Sequence, residues 1–334
     1  MEQNMNISIA MVDDLKIRQR SANEILGVCP VCGCKDANFN TAKLKWNCWH
    51  CPGRGGIIPQ EGYEIQEVEE KVLDIPEIRK LYTSLAVKYH DNMVLSSIKY
   101  LKDRGLTQQT IDDFKLGFCS TDFYDEYLND IAEDAGVIYS NYPVLTNRIT
   151  IPYIVDNEVT DLRGRILNGI YTYKDNTPTY TSLAGNHAVR GATFLFNHDV
   201  IDKSDRIIIT EGEFKAVVAQ QHGFPTVATP GVFGWQKRWS ILFKDKEVIL
   251  AADFDRVIGF RTPAYLMAKM LVKEIPQLKI ASFEQARHTT DGKIDIDSLI
   301  TSGNLKSFER AINGAMDAKT WLELEVRRGY GKKR

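Results

Sequence analysis

The sequence predicts an α/β protein in which a parallel sheet with flanking helices is preceded by a mixed α+β segment and a small cysteine-rich ribbon. Three observations support this fold class. Five of the six cysteines lie between residues 29 and 51. Segments that alternate apolar and polar residues follow around residues 147–167. From residue 206, short apolar runs alternate with helix-like stretches, which is the pattern of βαβ units.

Bulk composition limits the classes of protein to which the chain can belong. Its 334 residues suffice for two or three domains, and 43% of them are hydrophobic. The net charge of −2 gives no overall attraction to nucleic acid, so any such surface must be local. No apolar run approaches the roughly 20 residues of a membrane span, and the start does not resemble a secretory signal. We therefore expect a cytoplasmic protein with reduced thiols.

The cysteine spacing predicts a structural zinc site. The segment CPVCGCKDANFNTAKLKWNCWHC contains two C-x-x-C pairs, each of which can direct two thiolates to one point. A thioredoxin-like redox pair is the alternative, but it requires only one such pair. Cys34 and His50 are spare candidates. The predicted tetrahedral ligands are Cys29, Cys32, Cys48 and Cys51.

The surface of this ribbon is a candidate site for single-stranded nucleic acid. Four cysteine ligands leave no open coordination position, so the metal folds the module and the surface carries the function. Basic side chains can pair with phosphates while aromatic ones stack on bases. The candidates are Lys43, Lys45, Trp46 and Trp49. Alternatively the tryptophans cover the small core near the metal, above all Trp46.

Composition changes along the chain divide it into five segments. The stretch after the ribbon is strongly acidic and resembles a tether. The predicted segments are a zinc ribbon at 1–60, an acidic linker at 61–80, a mixed subdomain at 81–204, a parallel-sheet domain at 205–300, and a helix with a basic tail at 301–334.

Local signals define the elements of the mixed subdomain. Residues 81–118 are expected to be helical, with Gly105 ending one short helix and Thr107 capping the next. The segment NRITIPYIVDNEVTDLRGRIL predicts a hairpin that turns at VDNE. TYTSLA and ATFLFN are expected to add further strands.

Acidic residues follow three of the four predicted parallel strands. In an open parallel sheet the site lies at the carboxyl ends of the strands, so these side chains should converge. Converging carboxylates repel one another unless a cation neutralises them, and Mg²⁺ prefers oxygen ligands. The candidate residues are Glu211, Asp253, Asp255, Asp295 and Asp297.

The order of strand, Glu-Gly, strand and Asp-x-Asp resembles the Toprim domain, and the other segments narrow the resemblance to the bacterial replicative primase family. The matching segments are YLKDRGLTQQTIDDFKLGF, NRITIPYIVDNEVTDLRGRIL, PTYTS, AVRGATFLFN, IIITEGEFKAVVAQQHGFPTVATPG, DFDRVIGFRTPA and DGKIDIDSLI. With the ribbon, the resemblance extends in order from about residue 29 to about residue 320. It implies an α/β Toprim core behind a mixed subdomain and an N-terminal zinc ribbon.

The chain departs from the family pattern at several positions. The second zinc position is Cys32, where many members have histidine. Thr179 replaces an expected lysine. Lys215 stands where the family usually has an acid, and Glu213 is the nearby residue that could compensate electrostatically. No Walker A motif is present, so we expect any helicase to be a separate partner.

The resemblance implies synthesis of short RNA primers on a single-stranded DNA template, in which a 3′-hydroxyl attacks a nucleotide and pyrophosphate leaves. Ribonucleoside triphosphates are then the substrates, and Mg²⁺ or Mn²⁺ is the catalytic cofactor. Glu211 is a ligand or the base, and the aspartates hold the metal. The arginines implied to bind nucleotide or template are Arg104, Arg148, Arg165 and Arg190. A compact primase of this type would suit a bacteriophage.

Two other functions fit part of the pattern. A Toprim nuclease or topoisomerase-like phosphodiesterase would use the same acids. A strand-cleaving topoisomerase would also need a catalytic tyrosine in another domain, and no such module is evident. A non-catalytic recombination mediator also combines four cysteines with Toprim. It lacks the roughly one hundred residues between the two modules, so length argues against it.

Overall fold

The structure is a computed structural model. It describes residues 5–21, 24–41, 44–48, 50–51, 53–60, 75–120, 132, 135–139, 142–167, 177, 179–183, 194–254, 262–283, 296–301 and 303–327. The chain forms two compact units, which are treated separately below: residues Met1–Val72 and Leu73–Arg334.

The first unit is built on a six-stranded sheet in the order β1-β6-β5-β4-β3-β2. Its strands are β1 (Ile7–Ser8), β2 (Lys16–Ser21), β3 (Glu24–Gly27), β4 (Ala37–Asn40), β5 (Lys45–Cys48) and β6 (Arg54–Ile58). The pairing of β1 with β6 is parallel, and the other pairs are antiparallel. One short helix, α1 (Ile9–Leu15), begins at Ser8, whose hydroxyl accepts the amide hydrogen of Met11.

Trp46 lies in the core of this first unit. Its side chain is 2% exposed and stacks on Phe39 with ring centroids 6.1 Å apart. The indole nitrogen donates a hydrogen bond to the carbonyl of Met5 at 2.8 Å, so its polar atom is satisfied inside the protein. The prediction that Trp46 belongs to the binding surface is therefore wrong, because the ring is not available to stack on a base.

Three helices open the described part of the second unit: α2 (Ile75–Asp91), α3 (Leu95–Asp103) and α4 (Gln108–Asp113). Gly105 has φ +80°, a left-handed conformation that suits glycine just after a helix. Thr107 caps α4 by accepting the amide hydrogen of Thr110 at 3.1 Å. These two signals act as the sequence predicts. Helix α2 begins within the stretch predicted as linker, of which residues 61–74 lie outside the described ranges.

The predicted hairpin forms the centre of an antiparallel sheet with the order β12-β11-β10-β7. These strands are β7 (Gly117–Cys119), β10 (Arg148–Val155), β11 (Glu158–Ile166) and β12 (Tyr180–Ser182). The turn residues Asp156 and Asn157 have φ values of 51° and 66°, and a two-residue hairpin turn of type I′ requires positive φ at both positions. A separate pair, β8 (Ile138–Tyr139) and β9 (Tyr142–Pro143), lies between β7 and β10 in the chain.

A five-stranded sheet with the order β14-β13-β15-β16-β17 follows. Its strands are β13 (Arg206–Glu211), β14 (Thr226–Thr229), β15 (Glu247–Leu250), β16 (Lys279–Ile280) and β17 (Met316–Asp317). All pairs are parallel except β16 with β17. The accompanying helices are α5 (Glu213–Gln221), α6 (Pro263–Leu271), α7 (Ile296–Thr301), α8 (Leu305–Asn313) and α9 (Ala318–Arg327).

This sheet is buried on both faces, as a parallel sheet requires. Ile207 and Ile209 contribute to one apolar cluster, which also contains Trp239 and Trp321. Ile208 faces the other cluster, which continues into the antiparallel sheet through Tyr153. The four-stranded and five-stranded sheets of the second unit therefore share one apolar cluster.

Two predicted elements differ from the structure. ATFLFN was expected to be a strand, but its described part forms only an isolated bridge between Phe196 and Ala228. The C-terminal stretch was expected to be one helix, but it divides into α8 and α9. Gly314 follows α8, and β17 pairs with the sheet before α9 begins. The basic tail at 331–334 lies outside the described residues.

A buried ionic network connects the hairpin to α5. Glu213 is 1% exposed at the start of α5, and its carboxylate pairs with the guanidinium of Arg163 on β11. The hydroxyl of Tyr153 on β10 donates to the same carboxylate oxygen at 2.7 Å. Glu213 thus belongs to this network, whereas the sequence suggested that it could compensate for Lys215.

We predict that Glu213→Gln lowers the free energy of unfolding by about 3–5 kcal/mol, because Arg163 would keep a buried charge without its partner. Urea unfolding followed by circular dichroism measures the loss. Glu158→Gln is the matched control, since Glu158 contacts Arg79 at 3.1 Å on the surface and should change stability by at most about 1 kcal/mol. Equal losses in both variants would contradict the prediction.

Candidate functional sites

The four predicted zinc ligands converge in the first unit. The Sγ atoms of Cys29, Cys32, Cys48 and Cys51 all lie within 4.8 Å of one another. The Cys29–Cys51 and Cys32–Cys48 sulfur pairs are each 3.8 Å apart. Zn–S bonds of about 2.3 Å in a tetrahedron place neighbouring sulfurs about 3.8 Å apart, so this donor set fits zinc.

Backbone amides donate to two of the four converging sulfurs. The N–H groups of His50 and Cys51 both donate to Cys48 Sγ at 3.3 Å, and that of Gly53 donates to Cys51 Sγ at 3.3 Å. Burial opposes ionisation of Cys48, but these amides and nearby thiols lower its pKa to about 6, towards the thiolate that a metal requires. His50 is exposed.

The fifth cysteine of the cluster lies beside the ligands. Cys34 Sγ is 3.3 Å from Cys48 Sγ, while Cys34 is outside the group of four that converge. Cys34 is therefore a neighbour of the site, and the four sulfurs of the C-x-x-C pairs are the candidate zinc ligands.

One face of the ribbon sheet is polar and basic. Side chains alternate along β5, so Lys45 and Asn47 are exposed on the face opposite Trp46. Arg54 on β6 is the cross-strand partner of Asn47 and is also exposed. Lys43 and Trp49, the other predicted residues of this surface, lie outside the described residues.

In the second unit, Glu211 and Asp253 meet at the carboxyl edge of the parallel sheet. Glu211 ends β13, and Asp253 follows β15, the neighbouring strand. The amide hydrogen of Asp253 is donated to Glu211 Oε1 at 3.1 Å. The sequence argument that the acids converge at strand ends is thus supported by these two. Asp255 and Asp295 lie outside the described residues.

Lys215 contacts both carboxylates of this acid pair. Its Nζ is 2.6 Å from Glu211 Oε1 and 2.5 Å from Asp253 Oδ1. Burial by itself would lower the pKa of Lys215, but the two carboxylates outweigh it and hold the pKa above its usual value. For Asp253, burial and then the charge of Glu211 raise the pKa to about 8 against the opposing effect of Lys215.

The acid pair fits a divalent cation in one specific respect. Glu211 Oε2 is buried, and it has no hydrogen-bond partner among the described residues. A buried carboxylate oxygen without a partner is a costly arrangement that a hard cation would relieve. The described part of the site therefore offers two carboxylate ligands with an ammonium group between them.

Two predicted arginines share a cluster of aromatic rings. The guanidinium of Arg104 lies 4.8 Å from the ring centroid of Phe214, and that of Arg165 lies 5.6 Å from the same centroid. Arg165 also lies over Tyr180 at 5.1 Å and donates to its hydroxyl at 2.5 Å. Phe214 is the second residue of α5, so this cluster adjoins the helix turn that carries Lys215.

The arginine cluster retains unused donors. The Nε atoms of Arg104 and Arg165 are buried and have no hydrogen-bond partner among the described residues. Arg104 pairs with the carboxylate of Asp297, so this predicted metal ligand is an arginine partner in the structure. Two guanidiniums beside one carboxylate leave an excess positive charge, which favours an anion such as a phosphate.

The remaining two predicted arginines do not join this cluster in the described structure. Arg148 is 6% exposed at the start of β10 and donates to the carbonyl of Thr179 at 3.3 Å. Its guanidinium is thus committed at least partly to the protein. Arg190 lies outside the described residues.

Sequence reasoning missed the aromatic rings and Arg163. Strand alternation could have indicated Arg163, because residues two apart on β11 point to the same side and Arg165 was already a candidate. The contacts of Tyr100 and Phe214 with Arg104 depend on packing between distant segments, for which the sequence carries no local signal. Lys215 was noticed only as a departure from the family pattern.

The chain combines a four-cysteine ribbon with an antiparallel sheet and a mostly parallel sheet, and the proteins to which it is similar are bacterial DNA primases. No protein-family model matches the chain. It is 25% identical over 297 residues to the DNA primase of Rickettsia conorii, which covers 75% of this chain and 48% of the relative. It is 24% identical over 347 residues to the DNA primase of Helicobacter pylori, and the match covers 93% of this chain and 60% of that relative. The chain spans about half the length of the first of these curated relatives.

Solved structures show the same fold. The zinc-binding and RNA polymerase domains of the Aquifex aeolicus primase match with a TM-score of 0.57 and 15% identity, covering 96% of this chain and 89% of theirs. The RNA polymerase domain of Mycobacterium tuberculosis primase DnaG matches with a TM-score of 0.61 and 14% identity, covering 78% of this chain and 89% of that domain. A DnaG primase catalytic domain bound to ssDNA matches with a TM-score of 0.58 and 22% identity, covering 75% of this chain and 82% of that domain. The predicted fold class and resemblance are confirmed. Within the described ranges, every helix is too short or too polar to cross a bilayer.

We predict that Cys32→Ser abolishes zinc binding, whereas Cys34→Ser retains one zinc ion per chain, because only the former removes one of the four converging sulfurs. Zinc content is measured by metal analysis of the purified proteins. Loss of zinc from Cys34→Ser with retention in Cys32→Ser would reverse the assignment of these two thiols.

Proposed function

We propose that this chain synthesises short RNA primers on single-stranded DNA by divalent-metal-dependent nucleotidyl transfer. The observation that carries the proposal is that the first turn of α5 adjoins both an acid pair and an arginine cluster. Glu211 and Asp253 provide metal ligands, and Arg104 and Arg165 provide donors for phosphate. Similarity to bacterial primases supports the choice of reaction.

Glu211 and Asp253 would hold Mg²⁺ or Mn²⁺, with Asp255 and Asp295 as further predicted ligands. Asp297 is a weaker candidate, since its carboxylate pairs with Arg104. When bound, the metal supplies positive charge to the attacking and leaving oxygens of the transferred group. Glu211 could instead accept the proton of the 3′-hydroxyl, because its Oε2 is not occupied by a hydrogen bond within the described residues.

The arginine cluster would bind the triphosphate of an incoming ribonucleotide. A guanidinium held over an aromatic ring has a restricted orientation, so the directions in which its Nε and Nη groups donate are restricted as well. The Nε atoms of Arg104 and Arg165, which have no hydrogen-bond partner in the part of the chain that the structure describes, are suited to phosphate oxygens, which accept several hydrogen bonds. Arg148 and Arg190 stay predicted contacts to nucleotide or template.

The ribbon would bind one structural Zn²⁺ and use its polar face to contact the template. Lys45 and Arg54 can pair with phosphates, and Asn47 between them can hydrogen-bond base edges. Lys43 and Trp49 stay predicted members of this surface. A separate replicative helicase is the proposed protein partner, and the proposed location is the cytoplasm.

We predict that the purified protein converts labelled ribonucleotides into short oligomers when single-stranded DNA and Mg²⁺ are supplied. Asp253→Asn should reduce product at least about a hundredfold, because it removes a metal ligand while preserving the shape of the side chain. Gel electrophoresis of the products measures this. Asp103→Asn is the matched control, since Asp103 is an exposed partner of Lys99, and it should retain activity.

The same assay separates the alternatives. Cleavage of the DNA strand without incorporation of ribonucleotides would replace the proposal with a nuclease-type activity. DNA binding with neither cleavage nor incorporation would favour a recombination mediator. Products that form without template would contradict template-directed synthesis.

We predict that Arg165→Lys raises the KM for ribonucleotides about tenfold or more while lowering kcat less. Lysine keeps the positive charge but loses the planar fork that lies over Tyr180 and can bind two phosphate oxygens. Steady-state kinetics at saturating template measure both constants. Arg79→Lys, at an exposed ion pair, is the matched control. An unchanged KM would place the triphosphate elsewhere.

A further inference from the structure

Lys215 is a buried cation inside the acid pair. The side chains of Lys215, Glu211 and Asp253 are only 13%, 9% and 16% exposed. One ammonium group contacts a carboxylate oxygen of each acid at 2.6 and 2.5 Å. A lysine that only needed solvation would extend into water, because ordering a long side chain and dehydrating its charge are both unfavourable.

The charge balance of the three groups depends on Lys215. With both acids ionised, as metal binding requires, two carboxylates and one ammonium carry a single negative charge, whereas without Lys215 the two carboxylates would repel each other in a poorly hydrated site. The amide hydrogen of Asp253 reaches Glu211 Oε1 as well, so these contacts hold the two strand ends together. The chain therefore contains its own counter-ion for this edge of the sheet.

We infer that Lys215 acts as a resident counter-ion that orders Glu211 and Asp253 without a divalent metal and competes with a divalent metal for them. The ammonium contacts Glu211 Oε1 and Asp253 Oδ1, so a cation that binds at Glu211 Oε2 meets a positive charge already held by the same carboxylate and must displace or repel it. Lys215 is thus a positioning residue that sets the metal affinity of the site. The inference rests on the proposed function only in assigning a divalent metal to this acid pair.

The first measurement is the affinity of the zinc-loaded full chain for Mn²⁺. The electron paramagnetic resonance signal of free Mn²⁺ reports how much of the added metal stays unbound. Lys215→Met keeps the length of the side chain and removes its charge. We expect this variant to bind Mn²⁺ at least about tenfold more tightly than the wild type. Lys215→Arg keeps the charge and should stay near the wild type. The matched control is Lys99→Met, an exposed lysine paired with Asp103.

The second measurement is thermal unfolding with and without Mn²⁺. Lys215→Met should unfold at a lower temperature than the wild type in chelator, and Mn²⁺ should restore more of its stability than it adds to the wild type. The double variant Lys215→Met/Asp253→Asn again carries one negative charge. It should recover stability in chelator and lose the response to Mn²⁺.

Each outcome bears on the inference. A Lys215→Met protein with unchanged or weaker Mn²⁺ affinity overturns it, as does a loss of stability that Mn²⁺ does not reverse, since lost packing alone would produce that result. If Lys215→Met does not fold in chelator, refolding in Mn²⁺ supports the inference, and failure to refold there overturns it. No measurement uses nucleotide or template, so the inference can stand or fall independently of primer synthesis.

Discussion

The ion pair between Glu213 and Arg163 is the interaction on which the arrangement of the second unit depends. It is buried, and it joins the first residue of α5 to the central hairpin of the antiparallel sheet. Either partner of a buried pair would be strongly unfavourable without the other, because its charge would then be uncompensated. The ion pair therefore fixes one position for the start of α5, and the hydroxyl of Tyr153 reinforces that position.

Three consecutive residues at the start of α5 each make a different contact. Glu213 anchors the helix, Phe214 carries the two guanidiniums, and Lys215 neutralises the acid pair. Gly212 precedes them with φ +87°, which lets the chain leave β13 and enter the helix within one residue. The phosphate-binding and metal-binding chemistry we propose is thus organised by a single turn.

Features that depend on neighbours in the chain could be predicted from the sequence, whereas contacts between residues far apart in the chain could not. The C-x-x-C pairs, the Asp156–Asn157 turn and the Thr107 cap each act through neighbours in the chain, so their sequence signals were reliable. The bond from Arg104 to Asp297 joins residues far apart in the chain, and no local pattern encodes it. Trp46 was misplaced because composition alone does not say which face of a strand is covered.

The shared core of the second unit has a consequence for dissecting the protein. Residues from both sides of position 204 belong to one apolar cluster, including Ile149 and Tyr153 before it and Ile208 and Phe214 after it. Cutting the chain there would expose a continuous apolar surface on both fragments, and each would tend to aggregate. The mixed subdomain and the parallel-sheet domain, which the sequence predicts as separate segments, therefore need each other to cover their apolar surfaces.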